Sequence, residues 1–303
     1  MTPVSSPRPI ELIDAPSARA REERHTARAD SFDAEHRQRR RTGQRHPVFD
    51  FLFDYYSIRP SHLHRWHPGV GARLVGQDHP RQLDWPFYRR FPDGSVGVDV
   101  AEFRRRRGKV IAQAATMLHA TATNPARFDC FGLHEWAMVY RGVPRHDLPL
   151  RLGANATNAV VEDHQLRCTH FDAFRFFTPA ARPLNACELS RSSQAACDQS
   201  GCLHATMDLV KWALKLTPAV PGELVLDAFG LAWDARILDM EASPYDCSSL
   251  GLGVVPIETA EGKATYVHRQ RELSARGNDI RQLLLEIVFS CEDAKLLVNS
   301  QTS

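Results

Sequence analysis

Leu203-His204-Ala205-Thr206-Met207-Asp208-Leu209-Val210-Lys211-Trp212-Ala213-Leu214-Lys215-Leu216, and after Pro218 and Pro221 the run from residue 222 to 240, decide the fold class. The first stretch predicts a helix from about Leu203 to Leu216. The second carries Leu224, Leu226, Phe229, Leu231, Trp233 and Leu238, and predicts another helix between the Pro pair and the turn Ser243-Pro244-Tyr245-Asp246. Two long apolar helices joined by a few residues point to helix-on-helix packing.

Working outward, a last long helix is expected from near Glu258 to about Val288. Upstream, Asp99 is a good N-cap for a helix reaching about Thr121, and residues 127–141 read as another. Phe49, Leu52, Phe53 and Tyr56 recur at helical spacing, and Ser61 is placed to cap a second short helix through Trp66. Residues 67–97 are rich in Gly, Pro and Asp and read as loop with short extended pieces. From Ser17 to Gln44 the chain is polar, fitting a surface helix or a basic arm, and residues 1–16, with four Pro, read as a flexible tail. Val160, Val161, Leu166 and Cys168, with Phe171, Phe174, Phe176 and Phe177, suggest a short strand or hairpin. The expected fold is mainly α: one helical domain over 17–303 with a small β-hairpin insertion.

The composition agrees with a packed core. Of 303 residues, 43% are hydrophobic and 24% charged, which excludes disorder throughout. No apolar run is long enough for a membrane span, no secretory leader pattern opens the chain, and the expected location is the cytoplasm. A net charge of +2 does not announce a nucleic-acid binder. Only five lysines are present, so arginine carries the positive charge, as a GC-rich codon usage also produces. The seven cysteines show no pairing pattern and are expected reduced.

Several constellations carry chemistry. On a strand, His170 and Asp172 share a face, as a metal-ligand or acid/base pair. Glu162 and His164 repeat that spacing. On a helix, His204 and Asp208 stand one turn apart, with Lys211 and Trp212 continuing the face. Asp239 sits at a helix C-terminus, where the macrodipole disfavours an acid, so it needs a partner such as Arg236 or a job. His134-Glu135-Trp136 is a helix pair without a clear site. Pro68-Gly69-Val70-Gly71 has the turn of a helix-hairpin-helix, but Ala72–Gly76 is too short for the second helix, and a turn into a short strand fits better. P-loop, Rossmann and Gly-x-Ser-x-Gly patterns are absent, and the cysteine spacing suits no structural zinc.

Taken together, His46-Pro47-Val48, Asp50-Phe51-Leu52-Phe53, Tyr55-Tyr56, Arg59-Pro60 and Arg65-Trp66-His67-Pro68-Gly69 resemble a bacterial family, often seen in actinobacteria, carried under the label 3-methyladenine DNA glycosylase. His170-Phe171-Asp172-Ala173-Phe174-Arg175-Phe176-Phe177-Thr178-Pro179, Cys202-Leu203-His204-Ala205 and Asp239-Met240 extend the resemblance over most of the chain after about residue 20. It implies release of an alkylated purine base from DNA, with no cofactor. It supplies no catalytic residues, so roles follow from residue chemistry. Asp172 is the first choice and Asp239 the second for the carboxylate that stabilises an oxocarbenium ion, with His170 or His204 positioning the acid. Trp136, Tyr140, Phe174, Trp212 and Tyr245 are candidate walls for the base, with Arg175 beside them. Arg39, Arg40, Arg41 and the run Arg104 to Arg107 are candidate phosphate contacts. The alternative is a non-haem iron enzyme acting on a small molecule, with His170, Asp172, His204 and Asp208 as ligands and Glu135 or Glu162 as a further carboxylate. A helical binding protein is the third reading.

Overall fold

The computed structural model describes residues 9–299. In chain order the elements are β1 (Glu11–Ile13), α1 (Ala15–Thr42), α2 (Phe51–Tyr55), α3 (Pro60–His64), β2 (Ala72–Leu74), β3 (Tyr88–Arg90), β4 (Val96–Val98) and α4 (Val100–Thr123). They continue as α5 (Leu133–Ala137), α6 (Gly153–Glu162), α7 (Phe171–Phe174), α8 (Gln194–Cys197), α9 (Leu203–Lys215), α10 (Gly222–Glu241) and α11 (Ala260–Asn299). The fold is mainly α.

The helices α9 and α10 form the centre, packed along one another, with α11 laid across α4, α9 and α10. Nearly every residue from Leu203 to Val210 is buried, as are most positions of α10. Their exposed polar residues, such as Lys215, Glu223 and Asp227, lie on a narrow outer strip, and the polar residues elsewhere on them face protein. The main core gathers Phe53, Phe103, Trp136, Phe174, Trp212, Phe229 and Leu284 from helices distant in sequence.

The polar α1 is tied down differently. Its buried positions are Ala18, His25, Ala29, Asp33 and His36. Three of the five are polar and each has a partner: His25 Nε2 on the Leu63 carbonyl at 2.7 Å, Asp33 with Arg37 and His64, His36 Nδ1 on Asp50 at 2.8 Å. Asp14 caps the helix by accepting from the Ser17 amide. Gly43 ends it in the left-handed conformation.

Four sequence expectations need correction. The hairpin expected between 157 and 177 is helical, as α6 and α7. Thr157, Val160 and Val161 are the buried residues of α6, a 3.6-residue spacing that overrides their β propensity. The sheet lies elsewhere, in the order β1-β2-β4-β3, with β1 parallel to β2 and the other pairs antiparallel. The short strand after the Pro68–Gly71 turn is β2. The tail expected through residue 16 stops earlier: residues 1–8 lie outside the described residues, but Glu11–Ile13 pair with β2, and Ile13 packs with Trp66, Leu74 and Val96. The helix expected over 127–141 shrinks to α5, because Phe131 and Gly132 before it and Arg141 after it take positive φ. Finally α3 is capped at Arg59 rather than Ser61, with Pro60 opening the helix.

A Cβ at Gly262 would overlap the Pro256 carbonyl oxygen, whereas one at Gly108, inside α4, meets nothing within 4 Å. Gly262→Ala is therefore expected to lower unfolding stability by about 1–3 kcal/mol through overpacking. Gly108→Ala should raise it by about 0.5–1 kcal/mol by removing unfolded-chain entropy. Urea denaturation of the two variants tests both signs.

Candidate functional site

A band of buried polar residues crosses the centre of the fold. Helix α5 supplies His134 and Glu135; the residue preceding α7 is His170; α9 supplies His204 and Asp208; α10 supplies Arg236 and Asp239. All seven are buried, Asp239 completely. The i, i+4 spacing of His204 and Asp208 and the i, i+3 spacing of Arg236 and Asp239 put each of these two pairs on one face of its helix. Because α9 and α10 are enclosed, those faces meet inside the protein.

The contacts run in two chains that meet at His204. In the first, His134 Nε2 lies 2.7 Å from Asp239 Oδ1, and Arg236 donates to the other Asp239 oxygen at 2.7 Å and to Glu135 at 2.9 Å. In the second, His170 Nδ1 lies 2.9 Å from Asp198, and its Nε2 is 4.0 Å from Asp208. Asp208 accepts from the Tyr56 hydroxyl at 3.0 Å and from Lys211. The His204 ring sits between them, edge-on to His134 at 4.5 Å and stacked near His170 at 5.4 Å. Its imidazole makes no hydrogen bond to any described residue.

Electrostatics separates the three imidazoles. Burial opposes charge on His134, but the Asp239 carboxylate outweighs it and holds the ring well above its ordinary value. His170 is raised against the same burial by Asp198. His204 hydrogen-bonds no carboxylate; burial, then His134, His170 and Arg236, outweigh the opposing Asp239 charge and push it well below the usual range, so it is neutral. Burial would raise Asp239, yet His134 and Arg236 hold it far below the carboxylate range. Glu135 is raised by burial and by Asp239, against Arg236. Burial also raises Asp208, but Lys211 and His170 bring it below its ordinary value.

His134 Nε2 or Nδ1, a His204 nitrogen and an Asp239 oxygen all lie within 4.8 Å of one another, a donor set able to hold a metal ion. A second such group, Asp30, Asp33 and His64, is crossed by Arg37, which pairs with both carboxylates. It is an ion-pair network on α1.

Of the four ligands expected from sequence, His170, His204 and Asp208 come together. Asp172 does not join them. Residues 171–174 are helical, so i and i+2 no longer share a face, and the Asp172 carboxylate turns to Arg191 at 2.9 and 3.1 Å and to Arg175 at 3.2 Å. Asp239 finds Arg236, as its awkward place near a helix end suggested, and also His134. Asp198, reached through a loop, carried no sequence signal. His134 was visible only as part of a helical pair.

The expected base-binding rings are core residues. Trp136, Tyr140, Phe174, Trp212 and Tyr245 are each at most 7% exposed. Trp136 Nε1 donates to the Ala242 carbonyl, the Tyr140 hydroxyl to Glu162, and the Tyr245 hydroxyl accepts from the Arg145 amide. Tyr245 belongs to a separate small cluster with Val48, Val139 and Met240. Arg175 is exposed. Of the candidate phosphate contacts, Arg39 pairs with Asp50 and Glu35, Arg105 with Glu102, and Arg107 donates to the Lys215 carbonyl. Two surface cavities, about 350 and 500 Å³, are lined from α1, α10 and α11 and touch none of the candidate residues. Glu162 bonds Arg141 and Tyr140, away from the histidines. No family model, curated protein or solved structure matches the chain.

The raised His134 and His170 make stability fall with rising pH. Each contributes fully below the ordinary histidine value of 6.5, and the contribution is lost as pH rises through the folded value. His204 is neutral folded and unfolded above 6.5 and adds nothing there. Between pH 6.5 and 8.5, wild-type stability is therefore expected to decline, by up to about 1.4 kcal/mol per pH unit for each imidazolium retained. Asp239→Asn should remove the His134 share of that slope and cost about 3–5 kcal/mol, since Arg236 and His134 lose their anion. Denaturation midpoints across this range check both; an equal slope in the variant contradicts the assignment.

Proposed function

We propose that the chain is a metal-dependent enzyme acting on a small molecule, with His134, His204 and Asp239 as ligands of one divalent ion of the non-haem-iron type. The carrying observation is the convergence of His134, His204 and Asp239, with the neutral His204 ring set beside a carboxylate-bound imidazole. Three donor atoms from three separate helices converge within 4.8 Å, and His204 is the one of the three with no hydrogen bond to satisfy it from a described side chain. The surrounding charges support the same reading. A buried ionic network is no more stable than apolar packing of the same volume, so its retention points to use.

The donor set fits such an ion. Two His and one carboxylate leave positions open for substrate. Ligands bonded at about 2.0–2.2 Å lie about 3–4 Å apart, so a pair at the full 4.8 Å closes by about 1–2 Å. Asp239 keeps its second oxygen on Arg236, which fixes the carboxylate's orientation. Cys130 Sγ lies 3.7 Å from His134 Nδ1 and leaves Nε2 for the ion. When bound, the ion supplies Lewis acidity or redox chemistry at its open positions. The chain's own acid/base group is His170: Asp198 holds its Nδ1, and Nε2 faces Asp208 and the His204 ring. Tyr56 and Lys211 fix the Asp208 carboxylate and connect it to half-buried positions nearer the surface.

Binding must displace the His134 proton, because that ring is charged in the folded protein. Titration of metal-free protein with Co(II) is expected to give one site per chain and release of about one proton per ion at pH 7, read in buffers of different ionisation enthalpy. His204→Ala leaves no hydrogen-bond partner stranded, so it should keep its circular dichroism and melting temperature while affinity falls at least about a hundredfold. Wild-type protein that takes up no cobalt refutes the reading.

A second reading, hydrolysis of the N-glycosidic bond of an alkylated base, rests on the resemblance and on one further observation. Asp172 is a buried carboxylate under two exposed arginines, Arg175 and Arg191. An anion for the oxocarbenium ion and cations for phosphate are what that reaction needs. Release of 3-methyladenine from alkylated duplex DNA is the assay, and Asp172→Asn should lower it by about 10²–10³. Wild-type protein that releases no base removes this reading.

A further inference from the structure

Four arginines gather outside the histidine band, joined by direct contacts. Arg175 and Arg191 share the Asp172 carboxylate, at 3.2 and 2.9 Å. Arg145 and Arg175 both lie over the Phe176 ring, at 4.7 and 4.3 Å from its centroid. Arg182 donates to the Arg175 carbonyl at 3.1 Å. All four are exposed. Among the described residues Asp172 is the carboxylate they pair with, and neither Arg145 nor Arg182 has an ion-pair partner. Four guanidinium groups against one carboxylate leave a strongly positive patch. Its arginines are also held: stacking on Phe176 and sharing Asp172 restrict side chains that otherwise lose much entropy on binding.

The patch borders the buried site. Tyr55 stands edge-on to Tyr56 with ring centroids 4.8 Å apart, and burial, Asp172 and Asp208 push its hydroxyl up to about 12. The neighbouring Tyr56 hydroxyl donates to Asp208, which faces His170 Nε2 at 4.0 Å. Asp172 and His170 are two residues apart in the chain, one turned to the arginines and the other to the histidines.

We propose that Arg145, Arg175, Arg182 and Arg191 form a docking rim for the anionic group of a small substrate, a phosphate or carboxylate, whose reacting end points past Tyr55 toward the histidine site. This rests on the metal-dependent reading above and names its substrate class. Planar guanidinium forks match oxyanions with paired donors, and a set of them near one position selects a compact, multiply charged group. A long polyanion such as duplex DNA needs a cationic track many phosphates long. Of the other arginine runs, Arg39 pairs with Glu35 and Asp50, and Arg105 and Arg106 with Glu102.

Isothermal titration with inorganic pyrophosphate and with citrate tests the rim, using metal-free full-length protein so that the result does not depend on the ion. Arg145→Gln/Arg182→Gln removes the two arginines that have no ion pair and leaves the Asp172 pairs intact, so the fold is kept. Pyrophosphate or citrate is expected to bind wild-type protein, with the preferred one naming the anion, and the double variant to bind it at least tenfold more weakly. Arg105→Gln/Arg106→Gln on α4, the control for general positive charge, should bind as wild type. No binding of either anion, equal binding by the rim variant, or equal loss in the control overturns the proposal, as does tight binding of a duplex oligonucleotide in their place. Cobalt uptake measured on the same samples reads the metal site separately, so failure of the rim and failure of the metal reading are distinguishable.

Discussion

Asp239 is a fully buried anion on the inner face of α10, and the centre of the structure is arranged around neutralising it. A lone carboxylate there would cost several kcal/mol or more in desolvation. Arg236, one turn earlier, and His134, from a short helix more than 100 residues away in sequence, each take one oxygen. Arg236 in turn requires Glu135. That chain of requirements fixes α5 against α10. It also explains why α5 is short: its two polar residues must both point inward, and the positive-φ turns at Phe131, Gly132 and Arg141 bring the chain in and out over a few residues.

The same network makes His204 chemically unusual. Its neighbours hold their protons through hydrogen-bonded carboxylates, while at His204 burial, the two flanking rings and Arg236 outweigh the unbonded Asp239 charge. Three imidazoles of one intrinsic basicity are thus split by their surroundings into two proton holders and one lone-pair donor. Separated basicity in neighbouring groups is the usual physical basis for assigning acid and base roles. Here it separates a candidate ligand from a candidate proton carrier, His170, without any difference in residue type.

The periphery follows different rules. Helix α1 has too few apolar residues to be held by the hydrophobic effect and is fixed by hydrogen-bonded His and Asp side chains, which tie it to α3 and to Asp50. The small sheet packs its own minor core of Ile13, Trp66, Leu74 and Val96. Arg145, Arg175, Arg182 and Arg191 stay at the surface, organised by one aromatic ring and one carboxylate.

The sequence by itself determined the helical class, the spans of α4, α9 and α10 to within a few residues and the start of α11, because long helices announce themselves through periodicity and caps, whereas α1, too polar for a clear period, stayed open between a surface helix and a basic arm. The His204–Asp208 face and the need of Asp239 for Arg236 were legible for the same reason, since both are contacts within one helix. What needed tertiary structure was everything non-local. The strand pairing of residues 11–13 with 72–74 joins pieces of three residues, too short to show an alternation. The β-branched run at Val160–Val161 turned helical because packing of one face outweighs a propensity of at most about 1 kcal/mol. That change also turned Asp172 away from His170. Asp198 and His134 entered the site through distances of 28 and 105 residues along the chain. Spacing in sequence reports which side chains share a face of one element; which faces meet is decided only when the buried charges of α5, α9 and α10 must find one another.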